Sequence, residues 1–259
     1  MPTPRLVRTA AVVLRRHDFG EADRLVTLYT EHAGKIKALA KGVRRTTSRL
    51  GGHLELFCYV ELMLARGRNL DTITQVETID PFVGIRDDLW RTSLAYFASE
   101  LLDRLTEDHS ANAPLFRSAV AVFGRIASSD RPQPALQLFI VRALDLLGFR
   151  PELSNCVSCR NPLRPSGNAF NLASGGVLCR DCRSLESRSI DLSTSALKIL
   201  RLFLADDWST VTRLRVDAAL AGEIESLLSA YTQFVTETRL KSDAFVQELR
   251  RDGLAQATR

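Results

Sequence analysis

The chain of 259 residues lacks the short signatures that announce common catalytic sites: it contains no HExxH, no Walker-type GxxxxGKS/T and no GxSxG. Its four histidines, His17, His32, His53 and His109, lie far apart. The acidic pairs Asp87-Asp88 and Asp206-Asp207 fall where helix ends are expected, which suits capping better than acid–base chemistry. A binding protein is therefore expected, not an enzyme. No uncharged apolar run approaches the ~20 residues of a membrane span. The apolar stretch Ala10 to Leu14, behind Arg5 and Arg8, is too short for a secretory h-region and lacks a cleavage site. A cytoplasmic location follows as the expectation. Cysteine is scarce: four of the five fall in two CxxC pairs and Cys58 stands alone on an apolar face, which is not the count of a secreted disulfide framework. Internal repeats and low-complexity tracts are also missing, and the closing GLAQATR is expected to fray.

One absence is local. Between Gly34 and Gly52, in GKIKALAKGVRRTTSRLGG, there is no acidic residue, against six basic ones. The net charge of the whole chain is only +5, and residues 1–80 hold thirteen Lys/Arg against nine Asp/Glu, so this stretch more than accounts for the basic excess of the first third.

The length suggests two domains, or one domain carrying an inserted module. Up to Ile79 the hydrophobic pattern has the period of a strand. In HLELFCYVELML, Leu54, Leu56, Cys58, Val60, Leu62 and Leu64 alternate with His53, Glu55, Phe57, Tyr59, Glu61 and Met63. Further strands are expected over Val7–Arg15, Arg24–Thr30, Lys35–Lys41 and Leu70–Glu77, parted by turns at HDFGEAD, EHAG and ARGRN. Five short strands in so few residues imply a small closed barrel, OB-fold or SH3-like. After Asp80-Pro81 the period becomes helical. Leu94, Phe97, Leu101 and Leu105 make one stripe; Leu136, Phe139, Ile140, Ala143, Leu144 and Leu147 make another, stopped by Gly148 and Pro151. Two more helices are expected near Thr194–Ala205 and Ala218–Glu237.

Cys156, Cys159, Cys179 and Cys182 read C-x2-C-x19-C-x2-C. Each pair can wrap as a knuckle that presents two thiolates to one tetrahedral ion, and AFNLASGGVL, turning at Ser174-Gly175-Gly176, looks like the hairpin that delivers the second pair. The alternative is two reduced redox-type pairs or buried cysteines, although no α/β pattern of the thioredoxin kind surrounds them. A zinc held by four protein ligands has no open position and is structural. Arg160, Arg164, Arg180, Arg183 and Arg188 surround this site of formal charge −2, either to balance it or to touch nucleic acid.

As a strand, Lys35 to Lys41 puts Lys35, Lys37, Leu39 and Lys41 on one face and Ile36, Ala38 and Ala40 on the other. Arg44, Arg45 and Arg49 carry the charge into the next loop, where Gly42, Thr46, Thr47 and Ser48 leave room for a phosphate backbone. On an OB-fold this row would lie on the strand pair that usually binds nucleic acid; otherwise it is a solvated face that confers solubility. Phe57 and Tyr59 either stack on bases or pack beneath the helices.

The string GEADRLVTLYTEHAGKIKALAKGVRRTTSRLGGHLELF, the four cysteines with Gly175-Gly176, and RLKSDAFV at 239–246 together resemble the RecO family of recombination mediators, in the expected order and over nearly the whole chain. The resemblance implies an α+β multidomain protein: an OB-fold nucleic-acid-binding domain at 1–80, a helical domain at 81–153, a four-cysteine zinc module at 154–190, and the rest of the helical domain at 191–259. It implies binding to single- and double-stranded DNA, annealing of complementary strands in the RecF pathway of repair, and association with the nucleoid when on DNA. It also implies contacts with RecR and with the acidic tail of single-stranded-DNA-binding protein, so that RecA is loaded on gaps. On this reading Lys35, Lys37, Lys41, Arg44, Arg45 and Arg49 contact phosphates, with a log–log salt slope of roughly −4, and one structural Zn2+ sits on Cys156, Cys159, Cys179 and Cys182. Two other classes stand against it. A zinc-containing nuclease or nucleotidyl transferase component would need a carboxylate cluster for magnesium, and a sequence-specific DNA-binding regulator would use its helices.

Overall fold

A computed structural model describes residues 6–184 and 189–252. The first five strands are β1 (Leu6–Phe19), β2 (Asp23–Thr30), β3 (Gly34–Ala40), β4 (Tyr59–Ala65) and β5 (Asp71–Asp80). They close into a barrel in the order β1-β2-β3-β5-β4, with β4 returning to β1, all pairs antiparallel except β3 with β5. That is the five-stranded arrangement of an OB-fold. β1 is long enough to serve two partners: Leu6–Val12 pairs with β4 and Ala11–Phe19 with β2. A bulge between Val13 and Arg15 bends it from one to the other. The alternation seen in the sequence decides what is inside. Val13, Val26, Leu28, Ile36, Ala38, Val60, Leu62, Leu64 and Ile73 fill the interior.

Two of the expected strand limits are corrected. The strand read across His53–Leu64 begins only at Tyr59, because Gly51–His53 forms a turn of 3-10 helix and Phe57 takes a left-handed backbone, φ 69°. Leu54 and Cys58 still lie inside the barrel with Leu56 packed half-buried against them, so the alternating sequence belongs to a loop plugging the barrel end, while Phe57 is buried on the helical side. β1, for its part, runs on through residues read as a turn, to Phe19.

Helices follow: α1 (Val83–Arg86), α2 (Leu89–Leu105), α3 (Ala113–Ser128) and α4 (Gln133–Leu146). A three-stranded sheet comes next, β6 (Asn168–Asn171), β7 (Gly176–Leu178) and β8 (Ser189–Leu192), and then α5 (Thr194–Leu204), α6 (Trp208–Val211), α7 (Ala218–Thr236) and α8 (Lys241–Arg251). The expected stripes are buried against one another, with Leu105 and Leu147 at their half-buried ends. α3 and α8 were not foreseen. Asp88 and Asp207 do cap helices, accepting from the amides of Arg91 at 2.8 Å and Thr210 at 3.2 Å. No helix among the described residues is long and apolar enough to cross a membrane.

The barrel and helices share a core. Val12, Leu14, Tyr29 and Phe57 point out of the barrel and into the same cluster as Leu94, Phe116 and Phe123. Phe57 stacks on Phe123 at 5.7 Å and meets Tyr96 edge-on at 5.1 Å; Tyr29 and Tyr59 both lie beside Phe116. Of the two dispositions open to Phe57, the packed one holds: at 2% exposed it offers no ring to a base.

Candidate nucleic-acid interface and metal centre

Register places the outward side chains of the barrel in rows, because residues directly opposite across an antiparallel pair share a face. Arg15 lies opposite Thr27, which lies opposite Lys37; His17 lies opposite Leu25, which lies opposite Leu39; Phe19 lies opposite Asp23. Lys41 continues the outward parity of Lys37 and Leu39 just beyond β3. Ile36, Ala38 and Ala40 face inward as expected.

The first lysine of the expected row is covered. Lys35 is 8% exposed; its Nζ donates to the Asp103 carbonyl at 2.6 Å and lies 3.4 Å from the Asp103 carboxylate and 3.6 Å from that of Asp108. The segment after α2 docks on this end of β3: the His109 amide donates to the Lys35 carbonyl at 2.8 Å. Gly34, at φ 66°, lies so close that a Cβ there would meet the Ser110 carbonyl oxygen at 2.0 Å. Lys35 thus ties the barrel to the helical body and is removed from the set of phosphate contacts. Arg15 joins the same knot, 2.7 Å from Asp103. Burial pushes the Asp103 carboxyl up, but Arg15 and Lys35 together hold it below the ordinary carboxylate range.

The remaining cations are exposed. Lys37 lies 3.5 Å from Asp108, and Arg44 lies 3.5 Å from Asp18, which Arg24 also approaches. Among the described residues Lys41, Arg45 and Arg49 have no ion-pair partner. Their loop is nevertheless held in place. The Gly42 amide donates to the Asp23 carboxylate at 2.7 Å, the Arg44 amide to the Ala22 carbonyl at 2.9 Å, and Val43 is buried in the barrel end. A fixed loop of exposed cations would lose little order on meeting a polyanion.

The cysteines converge. All four Sγ atoms lie within 4.8 Å of one another, and Cys159 and Cys179 are 3.8 Å apart, about the edge of a thiolate tetrahedron around an ion bonded at ~2.3 Å. Each pair turns as a knuckle: the Arg160 amide donates to the Cys156 carbonyl, helped by φ 63° at Arg160, and the Arg183 amide donates to the Cys179 carbonyl. β6 and β7 form the expected hairpin across 172–175. Burial raises the Cys156 thiol, but amides of Cys179, Cys159 and Ser158 outweigh it and bring the group to about 6. Cys182 is pushed up to about 12, chiefly by its hydrogen bond with Cys179. A cation among the four sulfurs would favour the thiolate form of each. These residues fit a metal ion.

Around this cluster Arg183 pairs with Asp191, and Arg180 packs against Gly167. Arg160 and Arg164 are exposed, and Arg188 lies outside the described residues. Cys58 is buried, apart from the cluster, with its sulfur near the Pro81 carbonyl and Arg86.

An OB barrel with a fixed cationic loop, joined through a shared core to helices that carry a four-thiolate cluster, defines a multidomain OB-fold protein with a site suited to a metal. Comparison with known proteins narrows this. Residues 3–82 match the family described as recombination protein O N terminal, and residues 86–244 match recombination protein O C terminal. Curated relatives named DNA repair protein RecO include one from Dehalococcoides mccartyi, 34% identical over 98% of this chain and 100% of its own. Others are from Roseiflexus sp., 38% identical over 95% and 87%, and Nocardioides sp., 40% identical over 93% and 99%. The chain belongs to the RecO family.

Proposed function

We propose that this protein is a DNA repair and recombination mediator that binds single- and double-stranded DNA along Lys37, Lys41, Arg44, Arg45 and Arg49 and anneals complementary strands without a catalytic group. Annealing requires two polyanions to be brought together with their charge screened; base pairing then drives the reaction. The observation that carries this reading is the exposed, unpaired loop of Lys41, Arg45 and Arg49 rooted in a closed OB barrel. Membership of the RecO family supports the wider role: action on the nucleoid, partnership with RecR, contact with the acidic tail of single-stranded-DNA-binding protein, and help in loading RecA on covered DNA. On this reading the barrel at 1–80 carries the DNA, the helices support it, and one structural Zn2+ on Cys156, Cys159, Cys179 and Cys182 holds the module at 154–190 together.

Five phosphate contacts on a single strand predict a log–log salt slope of about −3.5. The deciding experiment is annealing of complementary oligonucleotides already covered by single-stranded-DNA-binding protein. The wild type anneals them and a K41Q/R45Q/R49Q variant does not; equal annealing by both rejects the assignment. Incubation of labelled DNA with magnesium tests the nuclease alternative, since fragments shorter than the input favour it.

A further inference from the structure

Where β1 leaves the barrel face it borders a cleft of about 470 Å3 between the barrel, α2 and the start of α8. Arg15, Arg16 and His17 form its barrel wall; Arg104 and Lys241 stand on the opposite side. Between them lie Leu14, Leu56 and two rings that remain substantially exposed, Tyr96 at 42% and Phe245 at 39%.

The polar groups of this cleft are unequally committed. Glu100 caps α8, accepting from the Lys241 amide at 3.1 Å and from the Ser242 amide at 2.8 Å and hydroxyl at 2.6 Å. Asp103 is occupied by Arg15 and Lys35. Arg16 pairs with Glu55. Arg104 and Lys241 have no ion pair among the described residues, and the Ser99 hydroxyl, 2% exposed, has no hydrogen-bond partner there. The rim therefore offers free cations. The interior offers ring faces, with the engaged carboxylates of Glu100 and Asp103 and the buried Ser99 hydroxyl behind them.

We propose that this cleft is a second nucleic-acid subsite, which receives a nucleotide of the single strand leaving the barrel. The base stacks on Tyr96 and Phe245, and the flanking phosphates meet Arg104 and Lys241. Continuity supports this occupant: Arg15 and His17 belong both to the cleft and to the outward rows that hold Lys37 and Leu39. Charge supports it too. A neutral base with a ring N–H donor, as thymine has, suits a cavity holding Glu100 and Asp103, whereas an acidic peptide side chain there would face two carboxylates. Stacking of this kind is tolerant of sequence, as an annealing protein requires.

The inference rests on the proposed DNA-binding role of the barrel, and the test separates the two. Fluorescence anisotropy with an oligo-dT length series is measured for wild type, K41Q/R45Q/R49Q, R104Q/K241Q and F245A, with equal thermal midpoints as the control for folding. The loop variant should weaken at every length. R104Q/K241Q should match wild type on the shortest oligomers, lose affinity once the strand is long enough to reach the cleft, and lower the salt slope by about 1.4 there. F245A should weaken the same long oligomers at least about 5-fold without changing the slope. If neither cleft variant shows a length-dependent loss, the subsite is refuted while the barrel reading stands; if the loop variant binds normally at all lengths, the barrel reading itself fails. Cleft variants that bind all DNA normally but lose binding of a labelled Asp-rich peptide overturn the proposal in favour of a peptide site. R104Q/K241Q changes only exposed side chains, so the test survives should F245A prove unstable.

Discussion

Lys35 and Lys41 share one face by strand parity, yet Lys35 is buried against Asp103 and Asp108 while Lys41 is exposed, and exchanging each for an uncharged residue separates the seam from the proposed phosphate contact. In Lys35→Met the chain volume is roughly kept while the bond to the Asp103 carbonyl and the charge facing Asp103 and Asp108 are lost. Asp103 keeps Arg15, and Asp108 is half-exposed to water, so the full penalty of an orphaned buried ion does not apply. A charge-assisted hydrogen bond of this type contributes about 1.5 to 3 kcal/mol. For a chain of this size that corresponds to a fall in Tm of roughly 3 to 12 °C. The log–log salt slope for single-stranded DNA should be unchanged, because Lys35 meets no phosphate. K41Q/R45Q/R49Q should do the reverse: a Tm shift equivalent to no more than about 0.5 kcal/mol per substitution, and a slope shallower by about 2. Thermal melts paired with anisotropy titrations at several salt concentrations decide the matter. A Lys35→Met protein with wild-type Tm and a slope reduced by about 0.7 would refute the assignment of Lys35 to the seam.

Further outcomes follow from the same contacts. Phe57→Ala empties space beside Phe123 and Tyr96 and should cost about 3 to 5 kcal/mol in a denaturant titration, with DNA affinity unchanged under conditions where the variant stays folded. Metal analysis should find about one zinc per chain, and its removal by a chelator should open 154–184 to protease before the barrel. The Glu100 carboxyl is raised by burial but lowered further by Ser242 and Lys241, so its net position is below the ordinary value of 4.5. A depressed carboxylate contributes stability above the unfolded value and loses it as pH falls through the folded one. Protection factors at the start of α8, taken against the intrinsic exchange rate at each pH, should therefore fall on acidification below about pH 4.5 in wild type, and be low already at neutral pH in Glu100→Gln. Gly34→Ala should displace the segment around Ser110, visible as new exchange at the His109 amide, since both the left-handed backbone and the 2.0 Å approach oppose a side chain.

The parts of this molecule legible in its sequence are those set by spacing along one element. Alternation identified the inward faces of β3 and β4, because a strand in a barrel of this width must send every second residue inside. The two CxxC pairs identified the thiolate cluster, because each knuckle is local. What escaped was whatever a distant segment decides. Alternation put Lys35 on the outer face but carried no sign that Asp103 and Asp108, some seventy residues on, would cover it. Leu54 to Cys58 alternate as a strand would, yet they form a plug, and the left-handed turn at Phe57 leaves no mark in a hydrophobic pattern. α3 did carry a signal: Asn112 caps it, Pro114 stands in its first turn, and Leu115, Phe116, Ala119, Val122, Phe123 and Ile126 recur at helical spacing. α8 is harder, because its buried Val246 and Leu249 are outnumbered by charged and polar neighbours.

The outward-pointing Val12, Leu14, Tyr29 and Phe57 carry a practical corollary. A fragment ending at Asp80 would complete every strand yet leave a greasy flank bare to water, inviting self-association and unspecific adhesion. Dissection of this protein is therefore better done by point substitution in the intact chain than by truncation.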